Sequence, residues 1–254
     1  LLARQRGRFN FTLAYTFSKV LGTSGTAGSE YLLTPLRDFS YGPLPSDRTH
    51  VATGTFSWLL PEPGSDGALQ HLLGGWQLSG ILNYVSGAPL QTGGYNAPNF
   101  ALQGTTADGL PLTEPRITGT PDVVMMPVLT CDPRENVPDG YLVNPPCFAA
   151  PAPGQNGNYN LPYIKGQPYW NVDLAVFKNF DLGGDKKLQL RLSAYNALNH
   201  PIATPDFFTH LTMKFDRGVL DPNFGRLPTE DDPELGGANK YGRRIVQLAV
   251  RFLF

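Results

Sequence analysis

Six stretches of the chain alternate apolar and polar residues with period two, the mark of a β-strand with one greasy face. In 8–19 the odd positions are Phe9, Phe11, Leu13, Tyr15 and Phe17, and the even ones are Asn10, Thr12, Ala14, Thr16 and Ser18. The stretch 50–60 sets Ala52, Gly54, Phe56, Trp58 and Leu60 against Val51, Thr53, Thr55 and Ser57. In 75–87, Trp76, Leu78, Gly80, Leu82 and Tyr84 oppose Gln77, Ser79, Ile81 and Asn83. The same alternation runs through 169–180, 187–198 and 242–254, the last ending on Phe252 and Phe254. Each stretch is close to the ~9–11 residues that cross a bilayer as a tilted strand. The small, polar set fits a wide, wet lumen better than a packed core, and the greasy set fits lipid.

The pattern therefore predicts an all-β fold: an antiparallel transmembrane β-barrel of the outer-membrane type. With about six long strands, this would be a partial barrel, a curved open sheet with long extracellular loops. Long connections are expected at 20–48, 88–168 and 199–240, and short ones at 61–74 and 181–187. Ala68 to Leu73 suggests one helical turn, and Val123 to Thr130 a short strand. From Ala88 to Pro168 the alternation is lost, and this segment holds 14 of the 24 prolines, so little of it can be central strand.

Loop length supplies a direction. Numbering strands back from Phe254, taken as periplasmic, puts every long loop outside and every short one in the periplasm, as outer-membrane barrels require. Aromatic girdles then fall at both edges: Trp58, Trp76, Phe180 and Phe252 on the periplasmic side, and Tyr15, Phe17, Tyr84 and Trp170 on the outer side. Phe254 is the candidate C-terminal insertion signal, its ring expected in the interfacial belt.

Composition agrees with this outline. Charged residues make up 16% of the chain, below the ~25% of an ordinary soluble domain, and 28 Gly with 24 Pro favour strands and turns. A net charge of −1 points away from nucleic acid. No apolar run approaches the ~18 residues of a transmembrane helix. The chain opens without an initiator Met or a signal-like segment, so it is expected to be the C-terminal piece of a longer exported protein.

Candidate chemistry is sparse. Cys131 and Cys147 share one Pro-rich segment, and a disulfide closing it is expected, with two free thiols as the alternative. His50, His71, His200 and His210 are scattered, without metal-ligand spacing, and no nucleophile elbow or phosphate-cradling glycine loop is present. No enzyme activity, metal or cofactor is expected. His50 beside Asp47 and Arg48 reads as a loop-to-strand boundary on a wet surface. Asp173 and Arg191 face the proposed lumen, either lining a substrate path or forming a solvated structural network. Tyr95, Tyr159, Tyr163 and Tyr169 are candidate ligand contacts of the long loop, with loop packing as the alternative.

Several strings together resemble a known family. Asp47-Arg48-Thr49-His50 precedes a strand, Leu73-Gly74-Gly75-Trp76-Gln77-Leu78-Ser79-Gly80 opens another, and Ser86-Gly87-Ala88-Pro89 closes it. With the segment Asp173 to Phe180 and the string Asn196-Ala197-Leu198-Asn199-His200-Pro201, these resemble the barrel of Oar-like TonB-dependent receptors, the carboxypeptidase-regulatory-like-domain TonB receptor group. The resemblance covers about Arg8 to Phe254. It implies the C-terminal part of an energised importer in the cell outer membrane of a Gram-negative-type cell. The plug, the TonB box and the N-terminal regulatory-like domain have no counterpart, and six strands fall short of the about 22 of a complete transporter barrel. Implied partners are outer-membrane lipid, the missing plug and upstream barrel strands, and the TonB complex. The cargo would be an unidentified small solute, oligosaccharide or peptide. The alternative from the residues is a secreted or cell-surface β-rich binding module using its long loops for recognition.

Overall fold

The computed structural model describes residues 2–23, 41–44, 46–62, 68–89, 102–112, 127–155, 157–158, 165–200, 202–203, 213–227, 240–241 and 243–254. In chain order its elements are β1 (Leu2–Arg6), β2 (Phe9–Phe17), β3 (Leu21–Thr23), β4 (Tyr41–Pro43), β5 (His50–Leu59), α1 (Ala68–Leu73), β6 (Trp76–Val85), β7 (Leu102–Gly104), β8 (Val128–Leu129) and β9 (Phe148–Ala149). There follow β10 (Tyr169–Asp181), β11 (Lys187–Tyr195), β12 (Ile202–Ala203), β13 (Met213–Asp216), β14 (Val219–Leu220), β15 (Lys240–Tyr241) and β16 (Ile245–Leu253).

Seven of these strands form one antiparallel sheet, open at both edges, in the order β1-β2-β5-β6-β10-β11-β16. Register carries the alternation across the whole sheet. Thr12 pairs with Thr55, Thr55 with Ile81, Ile81 with Asp173, and Ala175 with Ser193. Because side chains alternate along every strand, all the small and polar sets share one face and all the greasy sets the other. The greasy face is bare: Leu13, Tyr15, Phe17, Trp58, Leu82, Leu192, Leu248 and Val250 are exposed. Among the described residues no second layer covers these side chains, so this sheet is a wall whose apolar side needs a non-aqueous neighbour.

The sequence pattern yields six wall strands; the structure has a seventh, β1, paired to β2 across a tight turn at Gly7-Arg8. Arg4 pairs with Phe11 and Arg6 with Phe9, so charges occupy the greasy parity of this edge strand and mask its alternation. The short connection expected at 181–187 is a tight turn, with Gly183 and Gly184 at φ +88° and +62°, a conformation that glycine adopts at no steric penalty. The helical turn at α1 is also present, and only Val128–Leu129 of the expected strand 123–130 lies in β8, residues 123–126 being outside the described set.

Connections sort by rim. One rim carries the short links β1–β2, β5–β6 and β10–β11, and the other the long links β2–β5, β6–β10 and β11–β16. The two later long links are not structureless. Leu102, Leu112, Val143, Cys147, Phe148, Met213, Phe215 and Phe224 pack into one buried cluster, built from segments that the β10–β11 hairpin separates. β7 and β13 pair in parallel, Met213 opposite Leu102 and Phe215 opposite Gly104. Phe148 meets Phe224 edge to face at 5.3 Å, Leu142 N–H donates to the Gly225 carbonyl at 2.7 Å, and the Tyr141 hydroxyl donates to the Pro222 carbonyl at 3.0 Å. Apart from Ala175, every buried apolar residue among the described residues belongs to this loop module. The wall has no core of its own; the loops do.

Candidate functional site

The polar face of the wall holds a hollow of about 380 Å³ spanning β2, β5, β6, β10 and β11. Its polar lining includes Asn10, Thr55, Ser57, Asp173, Arg191 and Tyr195. Asp173 and Arg191 both reach it, and each is already engaged by neighbours. Asp173 Oδ1 accepts the Asn196 N–H at 2.8 Å and the Asn171 side-chain amide at 2.9 Å. It thereby caps the turn at Asn196, a residue at φ +48°. The guanidinium of Arg191 lies 5.1 Å from the centroid of the Phe177 ring and donates through Nε to Ser193 Oγ at 2.8 Å. A hydroxyl and amide network continues along this face: Thr53 donates to Asn83 at 3.2 Å, Gln77 to Ser57 at 2.9 Å, and Gln189 to Asn179 at 2.8 Å.

At the long-loop rim, Asp47 is the key residue that sequence reasoning left on a wet surface. It is 1% exposed and accepts from the Val20 N–H at 2.7 Å, the Thr49 hydroxyl at 3.1 Å and the Lys165 ammonium at 2.9 Å. Lys165 also donates to Thr49. Burial pushes the Asp47 carboxyl up, but the Lys165 ammonium and the Val20 and Thr49 donors more than offset it, and the net direction is down. The predicted boundary role of Asp47-Arg48-Thr49-His50 is thus corrected in part. Its aspartate is a buried staple between the first long loop and residue 165, more than a hundred positions on, a partnership that no local pattern announces. Gly87 supports the staple, since a Cβ there would strike the Gly166 carbonyl.

The girdle residues lie at strand ends on the greasy face. Tyr15, Ala52, Tyr84 and Trp170 form one continuous register row near the long-loop rim. Tyr15 and Phe17 flank His50, whose Nδ1 is 2.8 Å from the Tyr15 hydroxyl, and Trp170 stacks on His200 at 3.8 Å. Trp58, Trp76, Phe180 and Phe252 occupy the short-turn rim, and Phe254 is 93% exposed, stacked on Phe252 at 5.9 Å. Cys131 and Cys147 are bonded to each other, their Cα atoms 4.9 Å apart. Between them Arg134 grips Asp132, holding that carboxyl down at about 2. Tyr169 is the first residue of β10, opposite Val85, and not a loop residue; Tyr95, Tyr159 and Tyr163 lie outside the described residues.

A sheet with one bare apolar face, one polar face, and aromatic residues at both rims is the layout of a barrel wall in lipid. Residues 2–233 match the model of a protein family described as the outer membrane beta barrel domain. The chain belongs to that family. No match was found among curated proteins or among solved structures. In this outer-membrane β-barrel domain the Phe9–Leu192–Leu248 face is the apolar one, suited to lipid, and the Thr55–Asp173–Arg191 face is the polar one.

Proposed function

We propose that this outer-membrane β-barrel domain is the C-terminal part of a TonB-dependent receptor that imports a scarce solute, with the long-loop rim outside and Phe254 at the periplasmic end. The observation that carries the reading is the loop module. Two long links that leave one rim of the wall fold together into a single packed module with a disulfide within it, as a recognition cap would. The motif resemblance, from Asp47-Arg48-Thr49-His50 through Asn196-Ala197-Leu198-Asn199, supports the assignment to Oar-like receptors. In this scheme the cap and rim select the solute, the polar face of the wall lines its route, and energy arrives through a plug and TonB box carried upstream. The bare apolar face speaks against a secreted binding module, which water would force to cover it.

Capture by TonB is the deciding measurement. The intact protein, purified from outer membranes, should bind the periplasmic domain of TonB and conduct no steady current in planar bilayers. A protein that stays unbound at saturating TonB, or that behaves as a constantly open pore, defeats the receptor reading and leaves the barrel standing.

A further inference from the structure

Lys178 breaks the wall's own rule. Among the outward positions of β2, β5, β6, β10, β11 and β16 it is the single Lys, Arg, Asp or Glu, and a bare ammonium on a lipid-facing surface is strongly disfavoured. It is nevertheless 5% exposed, because the β5–β6 connection folds onto it. Its Nζ donates to the His71 carbonyl at 2.6 Å, the Leu72 carbonyl at 3.1 Å and the Gly74 carbonyl. An ammonium has three protons to donate, and α1 has carbonyls at its C-terminus without helical partners, so each side satisfies the other. The negative end of the helix adds to the attraction. The rings of Trp76 and Phe180 flank the charge at 5.3 and 5.0 Å, and Trp76 Nε1 donates to the Leu72 carbonyl at 3.0 Å.

Trp76, Lys178 and Phe180 all stand on the greasy face, so α1 is held against the outside of the wall rather than beneath its rim. There Leu72 and Leu73 are 69% and 52% exposed, at the same rim as the exposed Trp58 of the greasy face. Short apolar helix faces at that depth belong in the boundary between headgroups and acyl chains.

We propose that α1 is a membrane-interface foot: pinned by Lys178 and Trp76, it seats Leu72 and Leu73 in the headgroup zone of the phospholipid leaflet at the short-turn rim. The leaflet is periplasmic in the orientation proposed above, on which this inference rests. The foot both shields the Lys178 charge and fixes how deep that rim sits.

Depth-dependent quenching tests it. The intact protein carries an environment-sensitive fluorophore on Leu72→Cys or Leu192→Cys, the native cysteines being bonded to each other, in phosphatidylethanolamine–phosphatidylglycerol vesicles. The lipids bear a nitroxide either near the headgroup or near the acyl terminus. At position 72 a blue-shifted emission lost mainly to the shallow nitroxide is expected, and at position 192 a loss mainly to the deep one. An aqueous, unquenched signal at 72 beside a quenched 192 overturns the foot and spares the barrel. An unquenched 192 brings down the membrane placement itself. Adding Lys178→Met should abolish quenching at 72 while that at 192 persists; quenching retained at 72 refutes the pin. Should that variant not fold, Trp76→Phe removes one of the two donors to the Leu72 carbonyl and should reduce the shallow quenching.

Discussion

Replacing Asp47 by Ala removes the staple at the long-loop rim without touching the lipid face. Three donors lose their acceptor: the Val20 N–H, the Thr49 hydroxyl and the Lys165 ammonium. Hydrogen bonds to a charged group contribute about 1.5–3 kcal/mol each at best, and breaking a buried ion pair costs about 3–5 kcal/mol. The Lys165 side chain is 34% exposed and can return to water, which trims the second figure. About 3 kcal/mol of local stability is the expected loss, roughly a hundredfold in the opening equilibrium. Hydrogen exchange by mass spectrometry should therefore show the amides of Ser18, Val20 and Leu44 speeding up about a hundredfold, with those of β10 and β11 unchanged. Acidity provides a second arm. The carboxyl titrates lower when folded than when unfolded, so its contribution is fully present above the ordinary carboxylate pKa of about 3.9 and is lost as pH falls through the depressed value. The wild-type rim should stay closed in mild acid and loosen only in strong acid, while Asp47→Asn loosens it at neutral pH. Unaltered exchange at Val20 in Asp47→Ala would refute the staple.

Other parts of the molecule give equally definite expectations. Leu192→Arg, mid-strand on the bare face, should destabilise the reconstituted protein by ~2–4 kcal/mol if that site lies near the bilayer midplane; urea unfolding in vesicles reads this, and a neutral result would put position 192 away from lipid. Phe224→Ala, 2% exposed inside the loop module, should cost about 3–5 kcal/mol locally, detected as faster exchange in 213–227 with β2 and β5 unaffected. Cys131→Ser with Cys147→Ser opens a link of sequence separation 16 and should cost about 3 kcal/mol in the same module; intact mass under reducing and non-reducing conditions tests the bond itself, and two alkylatable thiols in unreduced protein would remove it.

The wall was readable because lipid and lumen impose a two-residue period on every strand that carries no exception. Where an exception occurs, the reading failed. Arg4 and Arg6 hide β1, and Lys178 looked like an ordinary strand residue because its partners are backbone carbonyls, which leave no side-chain pattern. The loop module was invisible for another reason. Leu102 finds Met213 across more than a hundred residues, in short strands with no periodicity, among prolines that argued against strand. Alternation puts Asp173 and Arg191 on one polar face, but what they touch, Asn196 and Phe177, follows from register and turn geometry that composition does not encode.

Alternation fixes which way a strand faces, yet a slip of two residues between β6 and β10 would keep every greasy side chain outward and every polar one inward. Lipid partition alone is therefore indifferent to a whole ladder of alternative pairings. The tethers at the two rims are not. A shift of about 6.6 Å, two residues' rise, would carry Lys178 away from the carbonyls of α1 at one end, while at the other the span available to join β7 with β13 would no longer match. The rim contacts thus act as phase markers, selecting one pairing among several that the bilayer would accept.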